Sequence, residues 1–221
     1  MIILDKFLSL IAPFECIICG IEEDLLCSVC LRNFNTESVY CLNCRQQLNG
    51  IDCCSVQCKN HPTNRLYSVS SYTGITKEIV LCLKSSGMVG IASLMARMMA
   101  KNIPKNSNLI ITHIPTASRR IRSRGFDQSA LLAREISKIT KMPNIKLLLK
   151  NNQSRQVGSS KSQRLKNIQT AFRVQNTKFI KGANILLVDD VLTTGVTVET
   201  ASRELLRAGA KSVDVVVFAV A

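Results

Sequence analysis

The sequence predicts an α/β protein: a mostly parallel sheet covered by helices on both faces, with a small cysteine-rich module at its N-terminus. Three observations carry this. Short apolar runs such as Leu109-Ile110-Ile111, Ile185-Leu186-Leu187-Val188 and Val215-Val216-Val217-Phe218 alternate with amphipathic stretches, the pattern of strands buried on both faces. The run Ile185 to Thr197 passes from apolar residues to two acids, then a hydroxyl- and glycine-rich turn, then a helical face. Nine of the ten cysteines fall between residues 16 and 58, which separates that segment from the rest. A chain of 221 residues suits one full α/β domain plus a small appendage. The expected division is 1–62 for the N-terminal helix and Cys-rich module and 63–221 for the α/β domain.

Each element has its own reason. Met1 to Phe14 is apolar with Leu4, Phe7, Leu8 and Ile11 at helical spacing, so it reads as an amphipathic helix docked on the protein. It has no basic start and no small-residue cleavage site, which argues against a signal peptide. No apolar stretch reaches the ~20 residues of a membrane helix, and the expected location is cytoplasmic. Arg65 to Thr73 reads as a strand ending at Tyr72-Thr73-Gly74. A helix follows through Ile79, Val80 and Leu83, broken at Lys84-Ser85-Ser86-Gly87, with Cys82 as a small buried apolar residue. Ile91 to Met99 is a second helix, rich in Met and Ala. Leu109 to Ile114 is a buried strand stopped by Pro115, with His113 as a satisfied core residue. Phe126 to Ile139 is amphipathic, with Leu132, Ile136 and Ile139 on one face. Asn151 to Thr170 is polar and basic and reads as a loop. Val213 to Val220 is the last strand.

The cysteines form Cys16-x2-Cys19, Cys27-x2-Cys30 and Cys41-x2-Cys44, followed by Cys53, Cys54 and Cys58. Each CxxC presents two thiolates about one zinc edge apart, and four complete a tetrahedral site. A disulfide framework would need a secreted context that the start of the chain does not supply. One or two structural Zn2+ ions are expected, held by Cys16, Cys19, Cys27, Cys30, Cys41, Cys44, Cys54 and Cys58. Cys53 could replace Cys54, His61 could enter, and the pairing could be sequential or interleaved.

Three further segments bear on chemistry. Asp189 and Asp190 end a buried strand, where α/β sheets bind ligands. The following Thr193-Thr194-Gly195-Val196-Thr197 turn opens a helix marked by Val198, Ala201, Leu205 and Ala208. A helix start of this kind holds anions, and paired carboxylates hold vicinal hydroxyls or a metal ion, so the parts describe a pocket for a phosphorylated sugar. Thr116-Ala117-Ser118, after Pro115, is a short turn able to cradle a pyrophosphate. Then come Arg119, Arg120, Arg122 and Arg124, four arginines in six residues, as a loop whose guanidinium forks match phosphates. The net charge of +14, from 29 basic against 15 acidic residues, points to polyanionic partners. Aromatic residues make up 5% and Trp is absent, so base-stacking platforms would be few.

The run Ile185 to Thr197 resembles the phosphoribosyl-pyrophosphate (PRPP) signature of type I phosphoribosyltransferases. That resemblance implies that Asp189 and Asp190 contact the ribose hydroxyls in the catalytic position. It implies that Thr193, Thr194, Gly195, the backbone of Val196, and Thr197 wrap the 5′-phosphate, with Mg2+ accompanying PRPP. The order of the pieces resembles the ComF family of competence-associated, phosphoribosyltransferase-like proteins over residues 10 to 220. The matching pieces are Ala12-Pro13-Phe14-Glu15-Cys16, the knuckles, the Tyr72-x-Gly74 turn, the Lys84 helix end and the Pro115 turn with its arginines. Arg124-Gly125-Phe126-Asp127-Gln128, Gln156-Val157-Gly158 with Arg164, Asn167 and Ala171-Phe172, and the PRPP signature complete them. Asp127 stands where the family usually has Asn, Ile114-Pro115-Thr116 replaces a Pro-Val-Pro-Leu-like turn, and Ser159-Ser160 lacks a Leu after Gly158.

The resemblance implies a PRPP-binding protein acting in DNA uptake and natural transformation. Its partners would be single-stranded DNA and other DNA-uptake proteins, with Arg119, Arg120, Arg122 and Arg124 contacting either the nucleic acid or the pyrophosphate of PRPP. The alternative is a metabolic phosphoribosyltransferase of nucleobase or nucleoside salvage, transferring 5-phosphoribosyl to an acceptor. No residue pattern reads as an acceptor pocket.

Overall fold

The computed structural model describes residues 15–32, 34, 38–41, 63–86, 89–104, 108–151 and 171–221. The helix expected over Met1 to Phe14, Cys44, Cys53, Cys54, Cys58, His61 and residues 152–170 lie outside them.

A short helix, α1 (Ser28–Arg32), and a short strand, β1 (Ser38–Tyr40), precede the main sheet. The α/β part then runs β2 (Thr63–Ser71), α2 (Gly74–Ser86), α3 (Val89–Asn102), β3 (Leu109–His113), α4 (Ser118–Arg124) and α5 (Gln128–Thr140). It continues with β4 (Leu148–Lys150), β5 (Phe172–Val174), a 3-10 turn (Thr177–Phe179), β6 (Asn184–Leu192), α6 (Val196–Arg207) and β7 (Ser212–Val220). The five-stranded sheet has the order β1-β2-β7-β6-β3, and every pairing except β1 with β2 is parallel. β4 and β5 form a separate antiparallel pair.

The apolar runs are buried on both faces because each face carries its own layer. Leu186 and Val188 of β6 join Ile111, Val216 and Phe218 under α2, α3 and α5. Ile185 and Leu187 point the other way, with Val215 and Val217, against Val198, Ala201 and Leu205 of α6. Strict alternation along a strand is what sends successive side chains to opposite layers.

The chain reverses its direction of winding between β3 and β6. After α5 it passes along the outer edge of β3, where Ile111 N–H donates to Pro143 O (2.8 Å) and Ile145 N–H to Ile111 O (2.9 Å). After β6 it winds through α6 to β7 on the inner side. Right-handed crossovers taken in opposite directions put α5 and α6 on opposite faces and leave a crevice where the two strands diverge. Asp189 and Asp190 lie at that point.

Four expectations change. Ile139 has the angular position of the buried stripe of α5, but it is 44% exposed because burial stops at Ile136, one turn before the helix does. The arginine segment is helical: Arg favours helix, and Gly125 ends α4 in a left-handed conformation (φ 84) with its N–H on Ile121 O. His113 is buried, yet its Nδ1 has no hydrogen-bond partner. Burial holds its pKa below the ordinary value, and the nearby Asp127 charge opposes this. Cys82 is half-buried and packs against the core from its edge.

Candidate functional site

Asp189 and Asp190 are each held by a different element. Ser129, at the start of α5, donates its hydroxyl to Asp189 Oδ1 at 2.7 Å. Lys84, in the last turn of α2, places Nζ 3.0 Å from Asp190 Oδ2. The carboxylates also organise their own backbone: Asp190 N–H donates to Asp189 Oδ1 (3.0 Å), and Val191 N–H to Asp190 Oδ1 (2.8 Å). Burial, and then the adjacent Asp190 charge, push Asp189 up to about 7, while the Ser129 hydroxyl works against the shift. A carboxyl poised there can exchange hydrogen bonds with a sugar hydroxyl in either protonation state.

Beyond the acids, Thr193, Thr194 and Thr197 are exposed, Gly195 is half-buried, and Val196 is 46% exposed. Gly195 adopts a left-handed conformation (φ 81), and no side chain caps α6. Glycine suits this turn because a Cβ is disfavoured at positive φ. Across the crevice, Thr116, Ala117 and Ser118 form the turn from β3 into α4, all half-buried. Thr116 is tied to Asp127, the N-cap of α5, through both its N–H (3.0 Å) and its hydroxyl (2.9 Å). Arg119, Arg120, Arg122 and Arg124 on α4 are exposed.

The sequence reading missed Ser129 and Asp127 as organisers of the site. Ser129 and Asp189 are 60 residues apart, and no local pattern announces such a contact.

At the N-terminal end, Cys16, Cys19, Cys27 and Cys30 bring their sulfurs within 4.8 Å of one another. The Cys19 and Cys27 sulfurs are 3.6 Å apart. A tetrahedral Zn2+ with Zn–S bonds of about 2.3 Å spaces its sulfurs by about 3.8 Å, so the cluster fits such an ion. The backbone is folded for it: Gly20 (φ 72) donates its N–H to Cys16 O (2.8 Å), and the N–H groups of Cys27 and Cys30 donate to the sulfurs of Cys16 and Cys27 at 3.4 Å each. Burial acts to raise Cys16, but backbone N–H groups from Cys27, Cys19 and Ile18 outweigh it and bring the thiol to about 6. Burial and the facing sulfurs push Cys30 up to about 12. The first two knuckles thus pair with each other. Cys41 is buried at the end of β1, but Cys44, Cys54 and Cys58 lie outside the described residues.

Residues 66–220 match the phosphoribosyl transferase domain family. The DNA utilization protein YhgH of Salmonella typhi is 30% identical over 221 residues, covering 93% of this chain and 96% of that protein. The competence protein ComFC of Bacillus subtilis is 30% identical over 145 residues, 64% of this chain and 58% of its own length. Competence protein F of Haemophilus influenzae is 26% identical over 218 residues, 91% of this chain and 95% of that protein. The chain belongs to the ComF family. Its sheet is of the type I phosphoribosyltransferase kind, with the four-cysteine cluster ahead of it. Among the described residues of this ComF protein, no helix is long and apolar enough to cross a membrane.

Proposed function

We propose that this ComF protein binds PRPP in the crevice between β3 and β6 and acts on DNA during its uptake or utilisation. The observation that carries the first part is the pair Asp189 and Asp190, each oriented by its own partner at the point where the strands diverge. In this reading the two carboxyls receive the ribose 2- and 3-hydroxyls. Thr193, Thr194, Gly195, Val196 and Thr197 wrap the 5′-phosphate, using N–H groups at the start of α6. Thr116, Ala117 and Ser118 face the pyrophosphate. Mg2+ would neutralise charge on the pyrophosphate group. Lys84 fixes the Asp190 carboxylate, and Ser129 fixes that of Asp189, so the site is organised before the ligand arrives.

The second part is supported by relatives named for DNA utilization and competence and by the exposed arginines of α4. Four guanidinium groups beside a sugar-phosphate crevice make a phosphate-binding edge suited to single-stranded DNA. The cluster of Cys16, Cys19, Cys27 and Cys30 is assigned to a structural Zn2+; a second ion would take Cys41, Cys44, Cys58 and either Cys53 or Cys54.

Calorimetric titration of PRPP with Mg2+ tests the pocket, run on the parent and on the combined Asp189→Asn and Asp190→Asn variant. Binding to the parent that the variant loses is the expected result; equal binding, or none to either, overturns the assignment. For DNA, affinity should fall steeply with salt and drop when Arg119, Arg120, Arg122 and Arg124 become Ala. Absence of single-stranded DNA binding at low salt removes that part.

A further inference from the structure

The turn after β3 is held shut by a side chain from further along the chain. Asp127 Oδ2 accepts the Thr116 N–H at 3.0 Å, and Oδ1 accepts the Thr116 hydroxyl at 2.9 Å. Oδ1 also accepts the Ala130 N–H at 3.3 Å, which is the cap of α5. Capping a helix needs only the last of these. The two shorter bonds reach back to the turn, and α4 with its four arginines is the segment that the clasp encloses.

A backbone N–H beside a hydroxyl at a strand end is the donor pair that a phosphoryl oxygen uses. Here a carboxylate already holds both. The adjacent Gln128 gives a second sign that a ligand acceptor belongs in this corner. Its side chain is 3% exposed, and its Nε2 donor has no partner, while its Oε1 lies 3.4 Å from the Thr116 hydroxyl. A hydroxyl has one proton, and Asp127, being nearer and charged, takes it.

We propose that Asp127 is an internal anion that holds the Thr116 donors and competes for them with the pyrophosphate group of PRPP. The proposal rests on the PRPP reading of the crevice. Seating the pyrophosphate requires Asp127 to release Thr116, and the fixed negative charge opposes the incoming one. An amide at this position keeps the size and the helix cap while removing the charge.

The test is calorimetric titration of inorganic pyrophosphate with Mg2+ into the full-length parent, Asp127→Asn and Asp127→Ser, with ribose 5-phosphate titrated in parallel. Serine also caps helices, so the two variants guard against the failure of either to fold, which melting by circular dichroism checks. Both variants should bind pyrophosphate at least roughly fivefold tighter than the parent, with ribose 5-phosphate affinity unchanged. Pyrophosphate binding that is equal, weaker, or undetectable in all three chains overturns the proposal. Weaker binding by the variants would instead assign Asp127 to holding the cation. Failure of ribose 5-phosphate to bind any chain would overturn the PRPP reading and the proposal with it, whereas ribose 5-phosphate binding without the gain in pyrophosphate affinity overturns the proposal alone.

Discussion

Lys84 Nζ lies 3.0 Å from Asp190 Oδ2, joining the end of α2 to the end of β6. The two side chains are 26% and 15% exposed, so the pair is more shielded than an ordinary surface ion pair, and removing one partner leaves the other charge poorly solvated. Lys84→Met should lower stability by about 1–2 kcal/mol, and most of that cost should vanish in an Asp190→Asn background. A double-mutant cycle by denaturant unfolding measures this. Equal costs in both backgrounds would mean that Lys84 acts through the packing of its stem.

Stability should depend on pH through Asp189. Its pKa rises from 3.8 to about 7 on folding, so the folded chain holds this proton more tightly than the unfolded one. The contribution is complete below the unfolded pKa near 3.8 and is lost as pH rises through about 7. The melting temperature of the parent relative to Asp189→Asn should therefore fall by several degrees between about pH 5 and about pH 9, since each kcal/mol moves it by about 2–4 °C in a protein of this size. Parallel curves for the two proteins would contradict the shift.

Metal removal should be felt in the core. The purified protein should carry at least one zinc per chain by elemental analysis. Chelation should lower its melting temperature by more than about 5 °C, because binding free energy at a structural zinc site is folding free energy. Metal-free protein with an unchanged melting curve would refute a structural role for Cys16, Cys19, Cys27 and Cys30.

The knuckles meet α3 at Gly90. A Cβ there would lie 2.6 Å from Leu25 Cδ1, the far end of a flexible side chain, with the next atom at 3.9 Å. The leucine tip can turn aside, so Gly90→Ala should be close to neutral or stabilising by up to about 1 kcal/mol, the helix-propensity gain. Denaturant unfolding measures this, and a loss of more than about 1 kcal/mol would show that Leu25 is pinned.

Much of this architecture was legible because it is written in local periodicity. The run Ile185 to Val188 is apolar at every position because both sheet faces are covered, and the acids after it mark where the cover ends. The first two knuckles each announced a pair of thiols through spacing, while the fold decides that these two pairs meet. Other features lie beyond local pattern. Ile139 has a buried residue's phase but sits past the end of burial on α5. Ser129 looks like any polar helix-start residue until the fold brings it to Asp189, and Asp127 looks like a helix cap while its shorter bonds go to Thr116. The pairing of Asp190 with Lys84 likewise depends on the ends of α2 and β6 meeting in space.

Phe34 rests 5.9 Å, centroid to centroid, from Phe218 of the last strand, and Leu25, Leu26, Cys16, Cys27 and Cys30 share a core with Tyr67 and Val69. The described first part of the cysteine-rich segment, from Cys16 to Phe34, is therefore a wall of the sheet's own interior. A gene fission that began a new protein at Thr63 would produce a sheet with one oily flank open to water. Such a fragment would expose a contiguous apolar patch and be prone to associate or aggregate, which is a physical reason for the two parts to stay on one chain.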